Sequence, residues 1–413
     1  MRIAVIGSGI SGLVSAHVLS RQHDVVLFEA ASRLGGHTHT VDAPFGDTTI
    51  PIDTGFIVFN DRTYPNFVRV LNALGVASQP SDMSFSVRSD RRNFEYGSAG
   101  LNALFAQRRN LLNPRFHRMW RDVLRFYREA RELLEPGSDV RIESYLRTHG
   151  YSDAFMNDHL LPLVGAVWSS NRDGARDFPA RLLVRFFDNH GFLQRGSGWQ
   201  WRTVSGGSRQ YVEAMRRAFR GQIRLNCPIE RVCRSTEATL VKPHGQAAER
   251  FDHVIVACHA DQALAMIAEP TRAEEDVLGA FAFQQNDVVL HTDENLMPRL
   301  RRTWASWNYH LDDDQAGGAC VTYWMNRLQG ITSETPYLVT LNRRDAVRED
   351  RIIGHYTYTH PIFTPEAAEA QMLHDDLIDH HNTSYCGAYW RNGFHEDGVV
   401  SALRVCERLG AAL

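Results

Sequence analysis

The feature that most constrains the fold is a glycine-rich turn at residues 7–12, with the pattern Gly-x-Gly-x-x-Gly. It follows a short β-branched run at 2–6 and opens a helical stretch at 13–20. A second apolar run at 24–28 comes next and is followed by an acidic residue. Strand, turn, helix and strand in this order are typical of a parallel, doubly wound sheet. The sequence therefore predicts an α/β fold.

The three glycines have separate tasks in such a turn. Gly7 permits the tight turn, Gly9 lets the backbone approach a pyrophosphate, and Gly12 lets the helix pack closely on the strand. The helix start also points free N–H groups and a positive dipole end at the phosphates. Glu29, at the end of the second strand, is placed to accept hydrogen bonds from ribose hydroxyls and disfavours a 2′-phosphate. These residues predict an adenosine diphosphate site, and the motif alone leaves NAD and FAD open.

The continuation of this motif distinguishes the two cofactors. Residues 29–38 read Glu-Ala-x-x-Arg-Leu-Gly-Gly-His-Thr, and Asp-Thr-Gly follows at 53–55. Here the chain resembles the amine oxidase, protoporphyrinogen oxidase and phytoene desaturase superfamily of flavoproteins, whose members share an E-A-x-x-R-x-G-G-R-x pattern. The resemblance implies FAD as the cofactor. His37 stands where the superfamily has arginine.

Later segments resemble the same superfamily. Residues 204–208 with Tyr211 resemble its G-G turn before a helix, and Pro228-Ile229 resembles the strand that meets the adenine. Residues 393–401 resemble its terminal motif, in which a helix N-terminus faces the flavin ring. N–H groups at that position stabilise negative charge on the reduced flavin. The resemblance covers the cofactor domain.

The resemblance assigns a set of cofactor-binding residues. Glu29 is expected to bind the adenosine ribose, Arg33 to lie along the pyrophosphate, and the two glycines that follow to pass close to the cofactor. The full predicted set is Gly7, Gly9, Ser11, Gly12, Glu29, Ala30, Arg33, Gly35, Gly36, His37, Thr54, Gly55, Ile229, Ala257, Gly387, His395, Asp397, Gly398 and Val399.

The cofactor domain is predicted to be discontinuous, because its motifs lie at the start, in the middle and at the end of the chain. We expect a doubly wound, glutathione-reductase-like parallel sheet that binds FAD, with an inserted α+β substrate domain. The predicted boundaries are 1–85, 200–280 and 345–413 for the FAD-binding domain, and 86–199 and 281–344 for the substrate and membrane-facing domain.

The bulk composition is that of an ordinary globular protein. The chain carries a formal net charge of -3, so no nucleic-acid partner is indicated. The six cysteines lie far apart, and neither they nor the histidines have metal-ligand spacing, so we predict reduced thiols and no metal site. The N-terminus lacks the pattern of a signal peptide, and no apolar run is long enough to span a membrane. We therefore expect a cytoplasmic protein.

A basic stretch at 101–134 is a candidate for contact with a membrane surface. Its eight arginines alternate with phenylalanine, leucine and tryptophan. This pattern is typical of a segment lying on anionic lipid, which predicts peripheral contact with the inner face of the cell membrane. A solvated helix face over an ordinary core is the alternative, and the sequence leaves both open.

The nature of the substrate is indicated by three segments, at 305–309, 322–329 and 393–398. They resemble a bacterial branch of predicted NAD/FAD-binding proteins, some of which resemble flavin-dependent desaturases of methyl-branched acyl chains that lead toward furan fatty acids. The resemblance implies an enzyme, an FAD-dependent oxidoreductase that desaturates a lipid acyl chain in phospholipid. Oxygen is the expected acceptor, since nothing indicates a second nicotinamide site.

Two alternatives remain beside this hypothesis. One is a flavin amine oxidase acting on a small amine. Many amine oxidases of the superfamily hold a water against the flavin with a late lysine, whereas the only lysine of this chain, Lys242, lies in a polar stretch. The other alternative is a non-catalytic partner protein that binds flavin and presents or protects a lipid.

The predicted catalytic residues are His395, Glu396, Tyr309 and Tyr323. His395 lies beside Glu396 in the terminal motif, near the expected ring, and histidine titrates in the range that general acid–base chemistry needs. The alternative is that His395 only hydrogen-bonds the flavin or caps the helix with Asp397. The tyrosines are expected to line the substrate side of the ring, although aromatic residues at strand spacing also occur as plain core.

Overall fold

The computed structural model describes residues 1–135, 140–168, 172–193, 199–235, 238–311 and 319–413. Two large β-sheets organise these residues. One is a five-stranded parallel sheet, and the other is a seven-stranded mixed sheet.

The parallel sheet contains both strands of the predicted opening unit. Its strands, in spatial order, are Gln222–Arg224, Asp24–Phe28, Arg2–Ile6, His253–Val256 and Thr383–Tyr385. All neighbours pair in parallel, and Val5 lies between Leu27 and Ile255. Apart from the edge strand Gln222–Arg224, which is only partly buried, these strands are rich in β-branched residues and buried on both faces, as parallel strands require. The predicted α/β fold with a parallel sheet is confirmed.

Alternate side chains of the central strand enter two different cores. Ile3 and Val5 pack against helices Ile10–Leu19, Arg209–Ala218 and His395–Arg408. Ala4 and Ile6 face the opposite side. That side is covered by a three-stranded antiparallel sheet with strands Ile229–Arg234, Thr239–Pro243 and Glu249–Phe251.

The mixed sheet lies beside this unit. Its strands, in spatial order, are Ile352–Ile362, Ala282–His291, Leu338–Leu341, Val321–Trp324, Trp307–His310, Phe85–Ser89 and Phe94–Gly97. All neighbouring pairs are antiparallel except the pair formed by Trp307–His310 and Phe85–Ser89. Smaller pairings join Thr40–Phe45 to Thr48–Asp53, and Phe59–Asn60 and Ser78–Pro80 to Trp201–Val204.

Helices between 101 and 190 pack against one face of the mixed sheet and share its hydrophobic core. The α-helices not yet mentioned are Pro65–Leu74, Leu101–Leu104, Pro114–Glu129, Ile142–Thr148, Asp153–Phe155, Leu161–Trp168, Arg172–Asp177, Ala180–Asn189, Ala260–Met266, Arg272–Leu278, Met325–Leu328 and Pro365–Gln371. A π-helix spans Met156–Leu160, and short 3-10 helices span Arg108–Leu112, Ala130–Leu134, Glu294–Leu296, Arg301–Thr303, Arg344–Ala346, Glu349–Arg351, His374–Leu377 and Ala388–Trp390.

The predicted domain boundaries stay a prediction. One strand bears on them: Ile352–Ile362 falls within a segment predicted for the FAD-binding domain, yet it pairs with Ala282–His291 at the edge of the mixed sheet. Among the residues that the structure describes, none of the helices has the length and apolar character needed to cross a membrane.

Candidate active site

Two cavities meet at the contact between the sheets. The larger, of about 840 Å³, extends from the glycine-rich turn to His395. The smaller, of about 230 Å³, lies between the mixed sheet and its helices. Residues that line both cavities form what we call the junction: His37, Tyr358, His360, Pro361, Gly393, Phe394 and His395.

The glycine-rich turn forms one end of the larger cavity. Helix Ile10–Leu19 begins after Gly9, and Gly7 has a φ of 100°. A Cβ on Gly12 would lie 1.9 Å from the carbonyl oxygen of Gly7, whereas a Cβ on Gly9 would meet no protein atom within 4 Å. Gly12 is therefore required by packing inside the protein. Gly9 faces open space, where a phosphate group can approach the backbone.

Two charged side chains hold the segment after the second strand. Glu29 accepts hydrogen bonds from the backbone N–H groups of Ser8 and Ala31, at 2.9 and 2.8 Å. Arg33 donates to the carbonyl oxygens of Gly36 and Thr38, at 2.9 and 3.0 Å. Both side chains line the larger cavity. Their contacts shape the loop that carries His37 into the junction.

The terminal helix His395–Arg408 forms the other end of the larger cavity. Its first residue, His395, lines both cavities, and its start points toward the junction. A Cβ on Gly398 would lie 2.6 Å from Cγ2 of Ile10, so this glycine allows the two helices to approach closely. Two helix N-termini thus border one cavity, and this arrangement suits a ligand that is anionic at two places.

The predicted cofactor residues fall into three groups. Those that line the larger cavity are Gly7, Gly9, Ser11, Glu29, Ala30, Arg33, Gly35, Gly36, His37, Ile229, Ala257, Gly387 and His395. Thr54 and Gly55 line the smaller cavity instead. Gly12, Asp397, Gly398 and Val399 line neither of these two cavities. The last group supports the site through packing and capping: Asp397, for example, accepts from the N–H of Phe394 at 2.9 Å.

His395 is held firmly in a neutral state. Its ring stacks on Phe56 with a centroid separation of 3.7 Å, and its Nε2 lies 2.8 Å from the hydroxyl of Tyr211. Burial lowers the pKa of His395 to about 3. The expectation that this histidine titrates in the useful range therefore loses its basis, because the imidazole remains neutral at physiological pH.

His37 and His360 add two more neutral imidazoles to the junction. The ring centroid of His37 lies 5.3 Å from that of His360 and 5.8 Å from that of His259. Burial, with a smaller effect from these neighbours, lowers the pKa of His37 well below its ordinary value, and burial lowers that of His360 to about 4. The Nε2 atom of His37 is buried without a hydrogen-bond partner. An unpaired polar atom at this position fits a bound cofactor that supplies the partner.

The smaller cavity is apolar. Among the described residues that line it, none is aspartate, glutamate, lysine or arginine. Besides the junction, its walls are Thr54, Gly55, Phe56, Ile57, Val58, Tyr64, Met83, Val167, Trp168, Phe186, Phe192, Trp201, Val288, Trp307, Tyr323, Leu341, Phe363 and Asn392.

The other predicted catalytic residues lie in different places. Tyr323 lines the smaller cavity, but Tyr309 is buried in the core of the mixed sheet and lines neither cavity. Glu396 points away from the junction and accepts from the backbone N–H groups of Asn66 and Phe67, at 3.0 and 2.8 Å. It therefore caps helix Pro65–Leu74, a structural task that the sequence did not indicate.

Residues that the sequence analysis missed are His259, Tyr358 and His360. The last two alternate with Tyr356 along strand Ile352–Ile362. Alternation of aromatic residues and histidine at a period of two indicates one face of a strand, and this signal was present in the sequence. Within the described ranges, no group of three or more His, Cys, Asp or Glu side chains is arranged to hold a metal ion.

Comparison with known proteins identifies the family. The family model for flavin containing amine oxidoreductase matches residues 10–299, which is more than half of the chain. The chain belongs to the flavin-containing amine oxidoreductase family. Membership in the predicted superfamily and FAD as the cofactor are thereby confirmed at the level of the family.

Relatives of this chain support the same family assignment. A protein of Mycobacterium tuberculosis named "Putative flavin-containing monoamine oxidase AofH" is 27% identical over 267 residues, covering 62% of this chain and 56% of the relative. The chain thus matches little more than half the length of that curated relative. Cyclohexylamine oxidase from Brevibacterium oxydans has a TM-score of 0.72 at 15% identity, covering 99% of each chain. The CLA-producing fatty acid isomerase from P. acnes has a TM-score of 0.72 at 14% identity, covering 98% of each. At these identities the two structures show the shared fold alone.

Proposed function

We propose that this flavoprotein oxidises a carbon–carbon bond in a methyl-branched acyl chain of a phospholipid, with O2 as the acceptor. The observation that carries the proposal is the smaller cavity, which adjoins the cofactor cavity and has no charged side chain among its described lining residues. Because the junction histidines are held neutral, no charged side chain there forms an ion pair with an ammonium or carboxylate group. An uncharged hydrocarbon segment is the ligand best matched to such walls.

The size of the cavity narrows the choice further. About 230 Å³ is below the roughly 300 to 1,000 Å³ of pockets that hold drug-sized molecules. A narrow segment of an acyl chain suits this space, whereas a bulky ring system does not. The fatty acid isomerase from P. acnes shares the fold over nearly its whole length. This architecture therefore also occurs in a protein that acts on a fatty acid.

The proposed reaction removes two hydrogens from adjacent carbons. FAD supplies the hydride acceptor, a proton leaves the neighbouring carbon to a base or water, a C=C bond forms, and O2 takes up two electrons and two protons as hydrogen peroxide. The task of this chain is then to bind and orient the hydrocarbon and to exclude water. Tyr323, Trp307 and Phe394 are placed in the cavity walls to do so.

The proposal includes contact with a membrane through the stretch 101–134. Helix Pro114–Glu129 buries Phe116, Met119, Val123 and Phe126, so part of this stretch is ordinary core. Leu111 and Leu112, in the preceding 3-10 helix, are exposed, and Leu112 is 89% exposed. Exposed arginines lie on either side of them, at Arg108, Arg109, Arg115 and Arg118. Exposed leucines flanked by cations match an anionic lipid surface.

The substrate is tested with the FAD-loaded protein and detergent-dispersed phospholipids that carry a methylated monounsaturated chain. We expect a product lighter by the mass of two hydrogen atoms, together with hydrogen peroxide. A protein that binds FAD but leaves every such lipid unchanged contradicts the proposal.

For the membrane contact, substitution of Leu111 and Leu112 by serine should reduce binding to anionic vesicles. Met372 is 83% exposed elsewhere on the surface, and Met372→Ser is the matched control, which should leave vesicle binding unchanged.

Oxidation of a small amine is the second candidate. It is favoured by the family description and by the similarity to AofH and cyclohexylamine oxidase. The position of Lys242 disfavours it, since this side chain pairs with Glu230 at 2.9 Å on the three-stranded sheet and lines neither cavity. Peroxide release with a panel of small amines, in the absence of release with lipid, would favour this candidate.

A further inference from the structure

A buried asparagine lies directly behind His360. Strands Ala282–His291 and Ile352–Ile362 pair so that Asn286 lies opposite Tyr358, and Asn286, Tyr358 and His360 therefore share one face of the mixed sheet. Asn286 is completely buried. Its side-chain nitrogen lies 2.9 Å from Nδ1 of His360.

The orientation of this amide follows from its own neighbours. The backbone N–H of Asp287 donates to Oδ1 of Asn342 at 3.0 Å, so the other side-chain atom of Asn342 is its NH2 group. That NH2 group donates to Ala319 O at 3.0 Å and to Oδ1 of Asn286 at 2.8 Å. Asn286 must therefore present its own NH2 group to His360. A backbone N–H can only donate, and for this reason the chain of hydrogen bonds has a single direction.

The direction of the network sets the tautomer of His360. Its Nδ1 accepts from Asn286, so in the neutral ring the proton resides on Nε2. The titratable groups facing His360 in the cavity walls are His37 and His259 from other segments, Tyr358 from its own strand, and His395. Burial keeps the histidines among them neutral and raises the pKa of Tyr358 to about 12. Arg33 also lines this cavity and its charge acts on Tyr358, whereas the pKa of His360 is lowered by burial and by His259.

We propose that Asn286 is a positioning residue that holds His360 as a neutral Nε2–H donor at the junction, so that the bound flavin meets a fixed hydrogen-bond donor there. A fixed donor stabilises negative charge that develops on reduction, and it requires no reorganisation at that moment. The proposal depends on FAD binding, which the family establishes, and is independent of the substrate.

Asn286→Asp tests the direction of the network. The carboxylate keeps the shape of the side chain and still accepts from Asn342, but it cannot donate to His360. It accepts a hydrogen bond from Nδ1–H instead, which inverts the tautomer and raises the pKa of His360 from about 4 by about 1 to 3 pH units. We expect the absorbance of the bound flavin to gain a one-proton transition between about pH 5 and about pH 7, in addition to any pH dependence that both proteins share through Asp397, whose pKa burial raises to about 7. Above the transition the donor is lost, so the midpoint potential of the flavin should be lower than in the unsubstituted protein.

Two controls separate this effect from general perturbation. Gln285→Glu adds the same charge one residue away, on the exposed opposite face of the strand, and should leave the pH dependence of the flavin spectrum as it is in the unsubstituted protein. The double variant Asn286→Asp with His360→Gln retains a donor that does not titrate, so the transition should disappear. The proposal is overturned if Asn286→Asp binds FAD without a transition, or if the transition persists in the double variant.

A second measurement applies even if Asn286→Asp fails to retain FAD. Nitrogen-15 spectra of ring-labelled histidine are compared between the unsubstituted protein and His360→Gln, and the signals that disappear belong to His360. Signals of an Nε2–H tautomer support the proposal, whereas signals of an Nδ1–H tautomer overturn it.

Discussion

The two ends of the larger cavity are built from different parts of the chain. The glycine-rich turn contributes backbone from one segment to the wall, and its shape depends on Gly7 and Gly12, which have no room for a side chain. At the junction the wall is side chains, supplied by segments as far apart as His37, His360 and His395. The first end is specified by local sequence. The second exists only once the two sheets have come together.

The largest expected effect is at the backbone end. Gly12→Ala places a Cβ 1.9 Å from a carbonyl oxygen, so we expect a loss of about 3 kcal/mol or more in the free energy of unfolding, or no folded protein. Gly9→Ala is the matched control, because its Cβ meets no protein atom within 4 Å. That variant should unfold normally without cofactor, as judged by denaturant titration, and yet bind FAD more weakly. Equal stability of the two variants would contradict the prediction that Gly12, unlike Gly9, is required for packing.

The next effect concerns the junction and pH. The pKa values of His360 and His395 in the folded protein, about 4 and about 3, lie below the ordinary 6.5. The unfolded chain therefore binds more protons than the folded one between about pH 6.5 and about pH 4, and stability falls as the pH drops through this window. The loss is about 1.4 kcal/mol per histidine for each pH unit. Thermal unfolding across this pH range should show that His360→Gln loses less stability than the unsubstituted protein. His117→Gln, at an exposed position, should lose as much stability as the unsubstituted protein.

A smaller effect on stability is expected at Glu396, and it distinguishes a structural role of this residue from a catalytic one. Glu396→Gln removes a charge that caps helix Pro65–Leu74, so we expect a loss of about 1 kcal/mol in stability and an unchanged rate of flavin reduction. Glu407→Gln, an exposed position on the same helix as Glu396, should change neither. Slower flavin reduction in Glu396→Gln at unchanged stability would restore the catalytic role predicted from the sequence.

The smallest effect is expected for the tyrosines. The hydroxyl of Tyr323 lies 3.5 Å from Ala166 O, at the limit of a hydrogen bond, so Tyr323→Phe should change half-saturation for substrate by no more than about twofold. Tyr309→Phe should leave half-saturation unchanged, because Tyr309 lines neither cavity. Steady-state kinetics on the two variants measures the difference. A larger change for Tyr309 would mean that the substrate extends beyond the smaller cavity.

The backbone end could be predicted because its contacts are local in sequence. The expected run at 2–6, helix at 13–20 and run at 24–28 correspond to Arg2–Ile6, Ile10–Leu19 and Asp24–Phe28. The helix begins earlier than expected, because its first turn includes residues of the glycine pattern itself. Most residues that the resemblance assigned to the cofactor line the larger cavity. Thr54 and Gly55 line the smaller cavity, and the remaining four pack or cap.

The junction could not be predicted in the same way. The period-two alternation along Ile352–Ile362 indicates the face that His360 shares with Tyr358, but the contact with Asn286 depends on the register between strands about seventy residues apart, which no local pattern reveals. Glu396 was selected for its neighbour His395, yet adjacent residues at a helix start point in different directions, and only His395 enters the cavity. Trp307 and Tyr309 lie two residues apart on one strand and share a face. Trp307 lines the smaller cavity, whereas Tyr309 lies further along the strand and is buried in the core.

The meeting of the two helix starts has a consequence for biosynthesis. At about 5 to 20 residues per second, the ribosome finishes the terminal helix some 20 to 70 seconds after the segment that contains His37. During that interval the nascent chain offers FAD only one of its two anchoring ends. We therefore expect stable flavin incorporation to follow translation of the terminal helix.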